Sequence, residues 1–210
     1  MSILIVTAVE QEAEAVSGLP EVHVVAGGVG RSNAAAATTQ ALIENGPFEL
    51  VMSCGIAGAL PESSLETGDV LLASCCIYAE EGIVTPDGFD TMQRLGIALG
   101  DFEGNVVPVA EYAMQALEGL FEEGPIATVA TCSGTDHQAA LIAARTGAKA
   151  EAMEGAAVVH AARRMGVPGI EIRSISNQTG DREGQEWNIP AALESLRVAV
   201  PRVVETLISA

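Results

Sequence analysis

Short apolar runs alternate with alanine-rich stretches of helical spacing along the whole chain. Ile3 to Val6, Val22 to Ala26 and Leu50 to Cys54 have the length and branched content of buried strands. Glu10 to Val16 reads as a short helix. A second helix runs to about Glu44, with Ser32 or Asn33 as its cap and Asn45-Gly46-Pro47 as its stop. The third strand ends in Gly55-Ile56-Ala57-Gly58. Gly68-Asp69 opens a long strand through Val70 to Tyr78, and a loop-rich stretch from Glu80 to Asp101 follows. The later pattern predicts a helix over Ala110 to Phe121, a strand over Pro125 to Cys132, and a helix capped by Thr135 or Asp136 that ends near Arg145. Ala150 to Met153 is short and extended. Glu154 to Met165 is a helix closed by Gly166, Gly169 to Ile175 is a strand, Asn177 to Asn188 is a polar loop, and Pro190 to Leu207 is a terminal helix. Strands alternating with helices predict an α/β sandwich around a parallel or mixed sheet. No repeat, linker or low-complexity block interrupts it, so one domain is expected over residues 1–210.

Composition narrows the function classes. Apolar residues make up 49% of the 210 positions but aromatics only 3%, so the core is built from Ala, Val, Leu and Ile. Asp and Glu number 28 against 10 Lys and Arg, a formal net charge of -18. That surface repels phosphate backbones and anionic membranes, which argues against nucleic-acid and membrane partners. Met1 to Val6 has no basic flank and is followed by acids, unlike a signal peptide or a spanning helix. Cys54, Cys75, Cys76 and Cys132 form no CxxC pair, so buried free thiols in a reducing cytoplasm are expected. His23, His137 and His160 are scattered, which speaks against a metal site.

In open α/β sheets ligands bind beyond the carboxyl ends of the strands. Those ends carry Glu12, two Gly-rich turns, Ser133-Gly134, Met153-Glu154 and Asn177. Gly27-Gly28-Val29-Gly30 lacks the third glycine of a dinucleotide fingerprint, since Asn33 stands there, and reads equally as a tight strand-to-helix turn. Gly55-Ile56-Ala57-Gly58 would let a ligand approach backbone amides. Glu12 lies in a run of acids that could be only a solvated face. Glu154 is different, because it sits among small apolar residues and a buried carboxylate must find donors, whether ribose hydroxyls or a helix N-terminus. Arg173 falls inside a strand, where it must pair with a carboxylate or a ligand; Asn177 follows at the strand end and could be a plain turn residue.

Taken in order, Thr7 to Glu12, Gly28 to Ala34, Cys54 to Gly58, Ala152 to Ala157 and Ile172 to Asn177 resemble the purine nucleoside phosphorylase/nucleosidase superfamily over nearly the whole chain. The loop from Gly180 to Pro190 looks like its futalosine-hydrolysing branch rather than its methylthioadenosine-cleaving branch. The resemblance implies a three-layer α/β fold with a central mixed sheet curled into a partial barrel and flanked by helices. It implies hydrolysis of a purine nucleoside in the futalosine route to menaquinone, in the cytoplasm, by a homodimer or higher oligomer with no cofactor and no metal. Adenine-directed nucleosidases, phosphorylases and a non-catalytic nucleoside binder are the other outcomes it leaves open.

It also implies roles. Glu12 and Arg173 would hold the attacking water, Met153 would lie under the ribose and Glu154 would grip its hydroxyls. Ile56, Ala57 and Gly58 would offer backbone near water and base. Asn177 would read the base, with Ser133, Gly134, Asp136 and His137 lining its pocket. Adenosine-type relatives carry Asp where Asn177 stands, and an amide that donates to O6 while accepting from N7–H fits hypoxanthine. Arg31 is the one cation before residue 94, too few for a phosphate nucleophile, so water is expected. Arg182, Arg94 or Arg145 would meet the substrate's distal benzoate, and 80–101 and 178–188 are expected as lids, with Trp187 over the ligand or anchoring the last helix.

Overall fold

The computed structural model describes all 210 residues. Its strands are β1 (Ile3–Thr7), β2 (Val22–Ala26), β3 (Leu50–Ala59), β4 (Val70–Tyr78), β5 (Gly82–Thr85), β6 (Gly88–Thr91), β7 (Val106–Pro108), β8 (Glu122–Thr128), β9 (Ala150–Ala152) and β10 (Gly169–Gln178). Its helices are α1 (Glu10–Val16), α2 (Arg31–Asn45), α3 (Met92–Leu95), α4 (Glu111–Leu117), α5 (Asp136–Thr146), α6 (Gly155–Arg164) and α7 (Ile189–Ser209).

The strands β3, β10, β4, β8 and β9 pair in a closed ring, since β10 bonds to both β4 and β3. This is the mixed sheet curled into a barrel and flanked by helices that the resemblance implies, with the ring of five strands closed. Strands β1 and β2 extend it beyond β3 in parallel, and β7 pairs with β4. Strand β1 shows why two helical layers are needed: Leu4 and Val6 join one core cluster while Ile3 and Ile5 join another. The first cluster takes Ala34 and Ala41 from α2 and Ala156, Ala157, Val158, Val159 and Ala162 from α6; the second takes Ala15, Ala113 and Leu196 from α1, α4 and α7. Small residues let α2 and α6 lie close to the sheet, which is how a chain with few aromatics fills its core.

Several sequence-based boundaries move. Helix α2 begins at Arg31 with Gly30 as its N-cap at φ 92°, not Ser32 or Asn33, and Asn33 Nδ2 donates instead to the Val29 carbonyl. Strand β3 continues through Gly55-Ile56-Ala57-Gly58 rather than ending there, because both neighbours keep pairing with it. Strand β10 likewise runs on through Asn177. The stretch 80–101 contains the β5–β6 hairpin and α3 rather than only loop. Strand β8 starts at Glu122, before Pro125, which shortens α4 to Glu111–Leu117. All four cysteines are free, but Cys132 is exposed and Cys75 half-buried, so only Cys54 and Cys76 fit the expected buried thiols.

Leu196 is fully buried among strand and helix side chains, whereas Ile43 is 69% exposed. Leu196→Ala is expected to lower the unfolding free energy by about 2–5 kcal/mol. Ile43→Ala should stay within about 0.5 kcal/mol in the same denaturant titration.

Candidate active site

A cavity of about 440 Å³ opens at the carboxyl ends of the strands. Glu12, Glu151 and Glu154 are its carboxylates, Ile56, Ala57, Gly58, Met153 and Ser176 line its inner wall, and Val9, Trp187, Ile189 and Leu193 make an apolar side.

Glu12 stands in the first turn of α1, a helix with no side-chain donor or acceptor at its cap. The carboxylate turns back on the open backbone amides. Its Oε2 accepts from Ala8 N at 2.9 Å and Val9 N at 3.2 Å, and its Oε1 accepts from Ile56 N at 2.9 Å. Three backbone donors fix a side chain that is only 4% exposed. A Cβ on Gly55 would lie 2.6 Å from both Glu12 Oε1 and Arg173 Nη1. The glycine is required because these two charged groups meet over its backbone.

Glu154 ends β9's connection to α6 and serves as the N-cap position of that helix. Its Oε1 accepts from Gly30 N at 3.0 Å, and its Oε2 lies 3.3 Å from Arg173 Nη1. Gly30 can aim its amide at this carboxylate because it adopts a left-handed backbone that a side chain would resist.

Arg173 is 1% exposed and stands behind the cavity wall rather than on it. Its Nε donates to Glu171 Oε1 at 2.8 Å and its Nη2 to Ser53 Oγ at 3.0 Å. Burial opposes its charge, but Glu171, Glu154 and Glu12 outweigh that cost and raise its pKa.

The structure does not bring every expected residue to the cavity. Asn177 is buried beside it. A register shift between Ile175 and Asn177 inserts an extra residue, so Ser176 faces the cavity. The Asn177 amide is engaged internally: Oδ1 accepts from Ser176 Oγ at 2.9 Å and Nδ2 donates to Gln178 O at 3.0 Å. Ser133, Gly134, Asp136 and His137 do not line the cavity either. Ser133 donates to Glu151 through its amide and its hydroxyl, both at 2.6 Å. Gly134 O accepts from Arg182 N, and Asp136 and Asp181 exchange backbone-to-carboxylate bonds at 2.9 and 3.0 Å, so these residues anchor the loop after β10. His137 is exposed.

Of the three arginines considered for an anionic tail, Arg94 pairs with Asp90 at 2.7 Å, and Arg145 donates to Ala79 O and covers Phe89. Arg182 has no acidic partner and lies 5.4 Å over the ring of Trp187, which lines the cavity. No residue from 80–101 lines the cavity, because that hairpin packs elsewhere; of the two expected lids only 178–188 contributes, through Trp187.

Sequence reasoning missed Glu151 and Glu171. Glu151 lines the cavity opposite Gly58 in the β9–β3 register, and burial raises its pKa against the lowering effect of the Ser133 bonds.

Residues 3–209 match the profile of the phosphorylase superfamily. The chain belongs to that superfamily. It is 36% identical to a futalosine hydrolase of Streptomyces coelicolor, over 87% of this chain and 78% of that protein. It is 27% identical to a 5'-methylthioadenosine/S-adenosylhomocysteine nucleosidase of Staphylococcus aureus, over 90% of this chain and 82% of that one. A solved futalosine hydrolase mutant of Helicobacter pylori superposes with a TM-score of 0.75 at 18% identity, covering 100% of this chain and 99% of that chain, and so shares the fold. Within this superfamily member no helix is long and apolar enough to cross a membrane.

Gly55→Ala should displace Glu12 or Arg173 and cost about 1–3 kcal/mol by leaving a buried polar group unpaired, read by chemical denaturation.

Proposed function

We propose that this chain hydrolyses the N-glycosidic bond of futalosine, releasing hypoxanthine and dehypoxanthine futalosine in the futalosine route to menaquinone. The observation that carries the reading is a single cavity walled by Glu12 and Glu154, in a chain whose curated relatives include futalosine hydrolases.

Cleavage of the C1′–N9 bond leaves positive charge on the ribosyl carbon, which the water oxygen takes up, and negative charge on the base, which is neutralised by a proton from solvent at its imidazole ring to give hypoxanthine. Glu12 orients water and accepts its proton, a contribution typically worth ~10²–10⁴ in rate. Arg173 Nη1 and Glu12 Oε1 both approach Gly55 without forming an ion pair, a separation that suits one bridging water. Glu154 grips the ribose hydroxyls and favours the growing positive charge, with Met153 beneath the sugar. The backbone of Ile56, Ala57 and Gly58 borders water and base.

Glu151 supplies a base contact that does not depend on Asn177. An ionised carboxylate accepts from the N1–H of a 6-oxopurine and meets only a lone pair on N1 of adenine. Asn177 reaches the base by exchanging its bond to Gln178 O for one to O6 or N7. Arg182, stacked on Trp187 and without an acidic partner, takes the distal benzoate.

Water is favoured over phosphate because Arg31 is already occupied: it pairs with Glu81, and Glu80 lies 3.9 Å away. Attack by water requires neither metal nor organic cofactor. We read residues 1–210 as one domain, cytoplasmic, and a homodimer or higher oligomer. The exposed Ile83, Val84, Leu95 and Ile97 around the β5–β6 hairpin favour such a contact. The apolar side of the cavity, with Val9, Ile189 and Leu193, would also suit an alkylthio group, so a methylthioadenosine nucleosidase is the second reading.

With purified protein, futalosine should yield hypoxanthine at a rate independent of phosphate. A phosphorylated sugar product, or faster adenine release from methylthioadenosine, would replace this reading. Glu12→Gln should lower kcat by ~10²–10⁴ yet keep inhibitor binding. Glu151→Gln should erode the preference for hypoxanthine over adenine by about 5- to 150-fold, the worth of a mispaired buried polar group. Because burial raises the Glu151 pKa above the ordinary carboxylate range, hypoxanthine release should climb as pH rises through that raised value and the carboxylate forms. Glu151→Gln should flatten that limb of the pH–rate profile.

A further inference from the structure

Resting on the nucleosidase reading, we propose that Glu171 is a positioning residue that offsets the charge of Arg173 from behind the cavity, so that Glu12 and Glu154 present a net negative face to the sugar as it turns cationic. Three observations carry this. Glu171 is fully buried, is absent from the cavity wall, and accepts from Arg173 Nε at 2.8 Å. Its second oxygen, Oε2, accepts from no N–H or O–H group, and the buried Cys76 thiol is the polar group beside the carboxylate. A Cβ on residue 155 would come within 2.0 Å of its carboxylate, so Gly155 leaves the space Glu171 fills.

A carboxylate half satisfied in the core is costly, and packing alone does not call for one. Its charge does have a use here. The Arg173 guanidinium holds Glu154 on Nη1 and comes near Glu12, both beside the reacting sugar. Uncompensated, that guanidinium would cancel much of the field that stabilises a ribosyl cation. Glu171 leaves three carboxylates around one guanidinium, a surplus of negative charge facing the cavity. Low local polarity strengthens the effect.

The test separates charge from structure. The probes are a nucleoside mimic with a protonated pyrrolidine in place of ribose and its neutral tetrahydrofuran counterpart. Glu171→Gln keeps the volume, so the neutral probe should bind within about threefold of wild type, while the cationic probe weakens about tenfold or more. Turnover should show kcat down about tenfold with KM little changed. Equal weakening of both probes, or no change in either, overturns the proposal. If Glu171→Gln leaves Arg173 unpaired and does not fold, the neutral pair Glu171→Gln/Arg173→Gln is compared with Arg173→Gln alone. The double variant should prefer the cationic probe less than the single variant does; an equal preference overturns the proposal. A wild-type chain that releases no base from any purine nucleoside would instead sink the nucleosidase reading.

Discussion

A fully buried guanidinium on a strand of the closed barrel is the constraint on which this site depends. Arg173 has almost no contact with solvent, so its charge must be met by groups the fold supplies. Glu171 meets it from its own strand, Ser53 from β3, and Glu154 from the start of α6. Each partner is fixed elsewhere in turn. Glu154 is tied to the Gly30 amide, and Gly155 makes room for Glu171. The glycines in this region follow from the same constraint. Gly55 gives way to Arg173 and Glu12, and Gly30 turns its amide inward.

The acidity of the chain acquires a local meaning here. A surface excess of negative charge deters polyanions, and the same bias appears around the cavity. Glu80 and Glu81 occupy Arg31, the one cation near the Gly-rich turn after β2. A site that must stabilise a cation and admit neutral water gains from carboxylates and would suffer from open arginines. The exception is Arg182, which has no acidic partner and lies over the Trp187 ring.

Much of this was legible in the sequence, for identifiable reasons. Elements with strong periodicity, such as β1, α1, β2 and α5, fall within a residue or two of their expected bounds, because local pattern and burial agree there. Glu154 and Arg173 stand out as charged residues among apolar neighbours, whereas Glu12, in a run of acids, is singled out only by the resemblance. Asn177 was legible as a residue but not as an orientation: alternation predicts which face it takes, and one extra residue at Ser176 reverses it. The segment 133–137 is expected at the pocket wall from the resemblance, with Ser133-Gly134 alone also marked by its place at a strand end. Its groups are in fact consumed by partners far along the chain, Glu151 and Asp181, which no local pattern reveals. Glu151 and Glu171 were two acids among 28. Only the cross-strand register of Glu151 and the room that Gly155 leaves for Glu171 distinguish them.

The bond from Gly30 to Glu154 spans 124 residues, and Arg173 reaches Ile56 and Ser53 across 117 and 120. Glu154 and Arg173 thus borrow their positions from distant parts of the polypeptide, as Glu12 does through its bond to Ile56 N. Such long-range closure makes assembly slow relative to a local fold of the same size. It also leaves no fragment with a working centre. Loss of either terminal third, by proteolytic nicking or by partial unfolding, dismantles the centre at once rather than by degrees.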